Sequence, residues 1–339
     1  MPQFTKEDFE KISSDKQTLV IRNKKVYDIS KFVSIHPGGS DVITKRHGKD
    51  VTTIMEKGTH KHSENAYRWL EQHYVGDLVD EKTEEVDKQA PSSDIVNWSK
   101  PVLWQVGHLG EKYHDWVDSP VDKSLRLFKS DFVEYFSSTS WYVIPIVWIP
   151  VILLLLLTTY WNYTEILFFP NVQSLTFSCS IHVLPFAYIG GIFMWTFLEY
   201  ALHRWLFHAS PPVSSYWLIT LHFLLHGQHH KVPFDKGRLV FPPVPASILG
   251  GMLYIILSGI LPIPIRHTLL AGVLTGYVVY DLTHYYLHYG NPSKGSYFYN
   301  LRAYHVRHHF QSPELGFGIS SRLWDYPFNT LIGKNKKAD

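Results

Sequence analysis

Residues 141–161 form a stretch of 21 consecutive residues without a charge. Because a helix needs about 20 apolar residues to cross the hydrocarbon core of a bilayer, this stretch predicts a membrane-spanning helix. Three further apolar segments follow at residues 181–200, 245–262 and 268–280. The chain is therefore expected to contain an all-α integral membrane domain with about four transmembrane helices.

The part of the chain before this domain has a different composition. Residues 1–80 are of mixed polarity and predict a compact α+β domain, with a short strand over TLVIRNKKVYDI, a turn at HPGG and short helical segments up to WLEQHYVGDL. Residues 81–97 are acidic and lack apolar periodicity, which is typical of a solvated linker. Residues 98–140 alternate aromatic and charged residues. That pattern favours an interfacial or amphipathic segment, although a plain surface helix also fits. The membrane domain then covers residues 141–339.

Charge and cysteine usage exclude several functional classes. The formal net charge is +2 and the basic residues form no stripe, so nucleic acid is not an expected partner. The single cysteine, Cys179, cannot form an intrachain disulfide. The N-terminal residues also lack the apolar segment of a secretory signal.

Lysine and arginine positions predict the orientation in the membrane. Basic residues occur before the first apolar segment and after the second and fourth segments, whereas residues 158–180 contain none. Since such residues concentrate in cytosolic loops, we expect both termini and the large polar segments to be cytosolic. The sequon at Asn162 would then lie in a lumenal loop and be a glycosylation candidate. The C-terminal KKAD resembles a dilysine retrieval signal, which favours the endoplasmic reticulum.

The N-terminal domain resembles the cytochrome b5 family through HPGG at residues 36–39, the preceding VYDISKF, a later HS and a closing YVGDL. This resemblance implies haem b held between two axial imidazoles, which carries single electrons instead of binding oxygen. His36 would be the first ligand. Family spacing counted forward from His36 points to His60 as the second, whereas spacing counted back from the YVGDL segment points to His62. We favour His62.

Histidines are strongly clustered in the C-terminal half. Of the 20 histidines in the chain, 12 lie between residues 203 and 309. Ten of these form four motifs, HRWLFH, HGQHH, HYYLH and HVRHH. The ten are His203, His208, His226, His229, His230, His284, His288, His305, His308 and His309.

The spacing of these histidines suits metal binding. Side chains at i, i+3 and i+4 share a helix face, so each H-x-x-H-H triplet could aim three imidazoles at one point. His203 and His208 are five residues apart, about 140° around an α-helix, so the helix is expected to end or distort between them. Histidines satisfied by hydrogen bonds in a core are the alternative, but ten would need many partners, and unpaired polar groups near a bilayer are costly.

Ten imidazoles could hold two metal ions at about five ligands each. All-nitrogen ligation fits iron, zinc, copper or nickel and disfavours calcium and magnesium. The fused haem domain would supply electrons that a hydrolytic zinc enzyme would not need, which favours iron in the working protein. Zinc could occupy the same ligands after purification.

The histidine motifs resemble the fatty acid hydroxylase superfamily, and the wider sequence resembles its fatty acid 2-hydroxylases. Similar stretches include KPVLWQVGHLGEKY, LHFLLHGQHHKVPFD, RLVFPPVPAS, YDLTHYYLHYG and GFGISSRLWDY. The resemblance implies that the ten histidines bind two irons and that dioxygen is the co-substrate. Electrons would come from an NADPH-dependent cytochrome reductase through the haem. A hydroxyl group would be added next to the acyl carbon of a long or very long fatty acid, or of the N-acyl chain of a ceramide, taken from membrane lipid.

Two carboxylates are candidates for orienting the imidazoles. Glu199 lies four residues before His203, and Asp281 lies three before His284, so both could accept hydrogen bonds from ring N–H groups. Interface or helix-end carboxylates are the alternative. Two rival functions also remain open at this point. One is a front-end acyl-lipid desaturase with a fused haem domain, and the other is a non-catalytic membrane protein that binds haem and metal.

Overall fold

The computed structural model describes residues 2–13, 17–36, 39–57, 62–79, 95–168 and 181–333. Its N-terminal domain is built on a four-stranded sheet of order β1-β4-β3-β2. The strands are β1 Gln3–Phe4, β2 Leu19–Arg22, β3 Lys25–Asp28 and β4 Tyr74–Leu78. β1 pairs with β4 in parallel, and the other two pairings are antiparallel. The two ends of the domain therefore lie side by side.

The segment TLVIRNKKVYDI forms two strands, so the prediction of a single strand was wrong. Leu19 pairs with Asp28, and Arg22 pairs with Lys25 across a tight turn. Asn23 and Lys24 have φ values of 53° and 62°, as the central residues of a two-residue type I′ hairpin do. The polar residues Asn23 and Lys24, which interrupt the run, were therefore the sequence sign of a hairpin.

Short helices cover the sheet and complete the α+β domain. They are α1 Lys6–Ser13, a 3₁₀ helix Ser30–Ile35, α2 Ser40–Thr44, α3 Thr52–Lys57 and α4 Glu64–Glu71. α4 begins where the Ser63 hydroxyl accepts a hydrogen bond from the Ala66 amide at 3.2 Å, which satisfies one unpaired N–H of the first turn. The predicted linker lies largely outside the described residues.

The predicted interfacial segment folds into three short helices, α5 Leu103–Val106, α6 Tyr113–Val117 and α7 Asp131–Ser137, with a 3₁₀ turn at Gly110–Lys112. α5 and α6 bury Leu103, Val106, Tyr113 and Trp116 in a core shared with Ile219 and Phe223. α7 instead exposes Phe132, Tyr135 and Phe136. Of the three helices, α7 matches the interfacial expectation best.

Four long helices lie where the apolar segments predicted them. They are α8 Val143–Phe168, α9 Val183–Ala201, α12 Pro243–Ser258 and α13 Ile263–Tyr289. Within the described ranges, three segments are long and apolar enough to cross a membrane, namely Val143–Asn162, Val183–Phe207 and Lys236–Ser258. α13 is the interior helix, since 16 of its 27 residues are buried. α8, α9 and α12 surround it and expose residues such as Leu154, Phe186 and Ile255.

α9 and α13 cross in close contact because glycines meet at the crossing. A Cβ atom on Gly191 would lie 2.1 Å from the Leu269 carbonyl oxygen, and one on Gly272 would lie 2.1 Å from the Tyr188 carbonyl oxygen. Small residues allow this backbone approach between apolar helices. The crossing fixes the relative positions of two helices that carry histidines at their C-terminal ends.

α8 extends to Phe168, so Asn162 lies within a helix and not in the predicted loop. The Asn162 amide donates a hydrogen bond to the Thr158 carbonyl at 2.7 Å, one turn earlier in the same helix. An asparagine inside a helix does not fit the surface loop that is expected of a glycosylation site.

The remaining helices carry most of the other histidines. They are α10 Tyr216–His222, α11 Gln228–Lys231 and α14 Tyr297–Phe310. Two π-helical turns interrupt regular geometry, at Leu202–Phe207 after α9 and at Phe223–Gly227 between α10 and α11, and a 3₁₀ turn lies at Lys236–Arg238. Serine caps begin α10 and α14, where Ser215 and Ser296 accept N–H groups of the first turn.

Candidate metal centre and haem pocket

The ten predicted histidines converge in two groups of five. In each group, one ring nitrogen from every residue lies within 4.8 Å of the others. The first cluster comprises His203, His208, His226, His230 and His308. The second cluster comprises His229, His284, His288, His305 and His309. All ten are buried except His208, which is partly exposed.

Each H-x-x-H-H triplet is divided between the clusters, so the expectation that a triplet aims at one point was wrong. His226 and His230 enter the first cluster, whereas His229 enters the second. His305 and His309 enter the second cluster, and His308 enters the first. On a helix, residues i and i+4 are about 40° apart, while i+3 lies about 60° away on the other side. One triplet therefore serves two adjacent sites.

The distortion predicted between His203 and His208 is a π-helical turn over Leu202–Phe207. Its defining i→i+5 hydrogen bond runs from the His208 amide to the His203 carbonyl at 3.0 Å. This wider turn brings two imidazoles five residues apart into the same cluster. Such π turns are often found at functional sites.

Neighbouring ring nitrogens are separated by distances that suit a shared ion. In the first cluster, the Nε2–Nε2 distances are 3.2 Å for His203–His226, 3.1 Å for His226–His230 and 3.1 Å for His208–His308. In the second cluster they are 3.0 Å for His229–His284, His229–His309, His288–His305 and His305–His309, and 3.1 Å for His284–His305.

These distances fit five-coordinate or six-coordinate binding. With a metal–nitrogen bond of about 2.1 Å, ligands at right angles are about 3.0 Å apart, tetrahedral ligands about 3.4 Å and opposite ligands about 4.2 Å. The nearest distances match right-angled ligands, and the 4.8 Å limit accommodates opposite ones. Five imidazoles thus fit around one ion in each cluster, although metal binding itself stays a prediction.

Backbone carbonyls determine which ring nitrogen carries the proton. His203 Nδ1 lies 2.6 Å from the Phe317 carbonyl oxygen, and His308 Nδ1 lies 2.7 Å from that of Leu315. His284 Nδ1 lies 2.8 Å from the Leu239 carbonyl oxygen. Because a carbonyl can only accept, each Nδ1 must donate its proton, which leaves the Nε2 lone pair pointing into the cluster.

The carbonyls that face the first cluster belong to residues 315–320, a loop held by two buried acids. Glu199 accepts hydrogen bonds from the amides of Ile319 at 2.8 Å and Ser320 at 2.7 Å. Asp325 accepts from the amides of Phe317 and Gly318, both at 3.0 Å. Sequence reasoning missed Asp325, although it lies in the quoted GFGISSRLWDY stretch.

Asp281 has an analogous position beside the second cluster. Both of its carboxylate oxygens lie 3.1 Å from the Phe241 amide, two residues after the Leu239 carbonyl that accepts from His284. The hydrogen bonds of Glu199 and Asp281 therefore differ from those predicted. Both acids hold backbone segments whose carbonyls orient imidazoles, and neither bonds an imidazole directly in the described hydrogen bonds.

Electrostatics keeps these imidazoles neutral. Burial, and then repulsion from neighbouring imidazoles, lowers the pKa of His229, His230 and His309 well below the ordinary histidine value. Neutral imidazoles are the form that binds a metal ion. At neutral pH the clusters are thus ready to act as ligands. His222, outside the predicted ligand set, instead contacts the Tyr113 hydroxyl through Nδ1 at 2.6 Å.

His36 and His62 line one cavity of about 180 Å³ in the N-terminal domain. Its walls are mainly apolar and include Ile29, Ile54 and Leu70. His36 is buried, and His62 Nδ1 lies 3.2 Å from the Met55 carbonyl oxygen. Because that carbonyl can only accept, His62 Nδ1 carries the ring proton. Two imidazoles in an apolar pocket suit a haem. His60 lies outside the described residues.

Two further cavities lie in the membrane domain, and one of them is lined by clustered histidines. One, of about 300 Å³, reaches from Val133 and Phe136 of α7 to His226, His229 and His284. The other, of about 220 Å³, lies among α8, α9, α12 and α13 with an almost wholly apolar lining. Phe207, Phe241 and Tyr280 line both cavities. An apolar molecule could therefore lie beside both clusters.

Comparison with known families matches the two parts of the chain separately. Residues 5–79 match the model of the cytochrome b5-like heme/steroid binding domain. Residues 188–330 match the fatty acid hydroxylase model. The second match includes all ten clustered histidines.

Several curated proteins are similar over most of their length. Human fatty acid 2-hydroxylase is 47% identical over 92% of this chain and 90% of its own. The Arabidopsis thaliana dihydroceramide fatty acyl 2-hydroxylase is 41% identical, covering 70% of this chain and 93% of its own. The Saccharomyces cerevisiae ceramide very long chain fatty acid hydroxylase is 32% identical, covering 92% and 89%. A solved structure of full-length scs7p, with only its hydroxylase domain visible, matches with a TM-score of 0.60 and 32% identity, over 72% of this chain and 88% of that one.

Proposed function

This chain belongs to the fatty acid 2-hydroxylase family, and from that premise we propose that it hydroxylates carbon 2 of long or very long acyl chains. The acyl group would be a fatty acid or the N-acyl chain of a ceramide, the substrates named for its relatives. Enzymes of this family are oxygen-dependent oxidoreductases. The observation that carries the proposal is the pair of five-histidine clusters beside apolar cavities.

Each cluster would hold one metal ion through its five Nε2 atoms. Right-angled spacing of the ring nitrogens and the neutral state of the imidazoles support this assignment. The five imidazoles of each cluster would hold the ion by nitrogen ligands alone. Bound iron would supply the redox chemistry that activates dioxygen. The protein's own contribution is to hold the imidazoles in place and to exclude water.

His36 and His62 would be the axial ligands of haem b. With both axial positions filled, the haem would pass single electrons and would not bind oxygen. An NADPH-dependent cytochrome reductase would supply those electrons. The shared apolar cavity and the Met55 carbonyl beside His62 support this pairing.

The acyl chain would lie in the two adjoining cavities. The cavity that contains His226, His229 and His284 opens toward α7, whose exposed aromatic residues suit the membrane interface. A lipid could enter there with its polar end at the interface. Its carbon 2 would then lie beside the histidines, and its tail would run toward the apolar cavity lined by Trp148, Trp195 and Leu253.

The chain would cross the membrane of the endoplasmic reticulum four times, with α13 as the interior crossing. Both termini and the histidine clusters would be cytosolic. The absence of lysine and arginine from residues 158–180 supports this orientation. Their presence before the first apolar segment and after the second and fourth segments also supports it. The clusters would then lie where a cytosolic reductase and the haem domain have access.

The deciding experiment is lipid mass spectrometry after expression in a host that lacks 2-hydroxylated sphingolipids. We expect sphingolipid acyl chains that gain one oxygen, with the hydroxyl at carbon 2. The His229→Ala variant is the matched control and should leave the lipids unchanged. A loss of two hydrogens would identify a desaturase, and identical lipids from both proteins would contradict catalysis at the clusters.

A further inference from the structure

One face of α4 contacts the segment that precedes the membrane domain. Asn65 Nδ2 donates to the Asp118 carbonyl at 2.7 Å, and Arg68 Nη1 donates to the Ser119 hydroxyl at 3.1 Å. Gln72 Nε2 donates to the Pro120 carbonyl at 2.9 Å. Residues 65, 68 and 72 follow helical spacing, so a single polar face of α4 makes these contacts.

A charged and an aromatic contact extend this interface. Lys31 Nζ lies 3.5 Å from an Asp122 carboxylate oxygen. The rings of Phe32 and Trp69 lie 6.5 Å and 5.8 Å from that of Phe234, which follows α11 in the membrane domain. Polar bonds at one edge and edge-to-face aromatic contacts at the other determine the orientation of the N-terminal domain.

This orientation makes α14 one wall of the cavity that contains His36 and His62. Val306, Arg307 and Phe310 line that cavity together with residues of the N-terminal domain. Val306 directly follows His305 and Phe310 directly follows His309, and both histidines belong to the second cluster. The proposed haem site and the second cluster therefore share a wall.

The region between the two sites is mainly apolar. A small cavity of about 10 Å³ there is lined by Phe32, Phe234 and Phe310 together with His288 and His309. Ring contacts lead from His36 to Phe310, the residue that directly follows His309. Phe32 lies 5.5 Å from His36 and 6.5 Å from Phe234, and Phe234 lies 6.1 Å from Phe310.

We propose that this docked arrangement selects the second cluster as the point where electrons enter, and that Phe32, Phe234 and Phe310 form the contact between the two sites. The proposal rests on the proposed function, because it takes the haem and the metal ions to be bound as described there. Each transfer moves one electron, which oxidises the haem iron and reduces a metal ion by one unit. No bond is made or broken in the bridge.

The first cluster has no comparable contact with the haem pocket among the described residues. None of its five histidines lines the cavity around His36 or the small cavity beside Phe234. Electron transfer through protein slows steeply with distance, so the second cluster is the favoured acceptor. Electrons would reach the first cluster only from the second.

Zero-length carbodiimide cross-linking tests the docking without relying on catalysis. In the full, haem-loaded chain in lipid nanodiscs, Lys31 should become linked to Asp122, and mass spectrometry would identify the joined peptides. The ion pair Lys25–Glu71, with a separation of 3.4 Å inside the N-terminal domain, is an internal control that should cross-link in every variant. A parent protein that links Lys25 but not Lys31 would overturn the docking.

A triple variant tests whether the docking of the N-terminal domain speeds electron transfer from the haem. The variant combines Asn65→Asp, Arg68→Glu and Gln72→Glu, which removes the three donors and changes the net charge by −4. Its control changes the net charge by the same amount on two exposed residues, through Lys45→Glu and Lys49→Glu. The triple variant should lose the Lys31–Asp122 link and reoxidise reduced haem about tenfold more slowly in air. Its haem spectrum, metal content and reduction by the reductase should match the parent.

The outcomes separate this inference from the proposed function. If the parent hydroxylates lipids and the triple variant reoxidises its haem at the parent rate, the docking inference fails and the function stands. If the parent shows no bound haem or no bound metal, the function fails. If the triple variant loses its haem, the Phe234→Ala variant takes its place in the test, because it leaves α4 unchanged. This variant must keep the Lys31–Asp122 link and must reoxidise its haem more slowly than the parent. An unchanged rate in that variant would overturn the bridge.

Discussion

The first and second clusters draw on the same helices but differ in what surrounds them. The segments HGQHH and HVRHH each contribute histidines to both clusters. The first cluster faces the loop 315–320, which Glu199 and Asp325 hold, and it includes the partly exposed His208. The second cluster is buried throughout, lies beside the segment held by Asp281, and adjoins the N-terminal domain. The same kind of side chain is thus placed in two environments, which implies different tasks for the two proposed metal sites.

Removing one ligand from each cluster should give the largest effects and separate these tasks. His308→Ala should lose metal from the first cluster, and His309→Ala should lose it from the second, with hydroxylation falling about 100-fold or more in both. Haem absorbance should remain in each. Only His309→Ala should also slow haem reoxidation, because only it alters the proposed entry site. Elemental analysis and stopped-flow absorbance measure both properties, and loss of all metal in either variant would show that the clusters are not independent.

His36→Ala should leave both clusters occupied while removing their electron supply. The haem absorbance and cellular hydroxylation should be lost, because one axial ligand is absent, whereas metal content should match the parent. His47→Ala, a change of the same kind in the same domain outside the cavity around His36, is the control. Full hydroxylation by the His36 variant would rule out the internal haem as the electron source.

Amide substitutions of the buried acids should affect one cluster at a time. Asp325→Asn should weaken metal binding at the first cluster about tenfold, because an amide cannot accept both the Phe317 and Gly318 N–H groups in the same way. Asp281→Asn should do the same at the second. The rate of metal release to a chelator measures the effect. The control is Glu314→Gln, which changes an exposed acid near the same loop and should release metal at the parent rate. Equal losses at both clusters would contradict separate support.

A substitution away from both clusters should give the smallest effect, a change in the stability of the folded protein. Burial raises the pKa of Asp118 to about 6, so between pH 4 and 6 the folded chain holds a proton that the unfolded chain does not. Stability from this group therefore falls as the pH rises through that window and is constant above it. Asp118→Asn should stabilise the protein by about 1 to 2 kcal/mol at pH 7.5 and less at pH 5. Thermal unfolding at both pH values measures this, and a larger gain at pH 5 would contradict the raised pKa.

Local spacing was enough to predict several features of the site. The five-residue interval between His203 and His208 predicted a distorted helix, and a π turn is present. The apolar segments predicted four long helices, although α13 extends well beyond residues 268–280 in both directions. Its C-terminal end, with the buried Asp281, His284 and His288, lacks an apolar pattern because it lines the protein interior and not lipid.

Features that depend on contacts between distant segments could not be predicted from spacing. Glu199 and His203 are one helical turn apart, yet Glu199 binds backbone amides 120 residues later in the chain. The division of each histidine triplet depends on where neighbouring helices place their own imidazoles. The approach of Phe32 to Phe234 also joins segments whose separation in sequence gives no sign of contact.

The π turn at Leu202–Phe207 makes the number of residues between His203 and His208 as important as their identity. Deleting one of these residues would place the two histidines four apart, about 40° around an ordinary α-helix, so that they would still share a face. Adding one residue would place them six apart, about 120° from each other around the helix, and His208 would leave the first cluster. Side-chain replacements at Arg204, Trp205 and Leu206 should consequently be tolerated far better than an insertion.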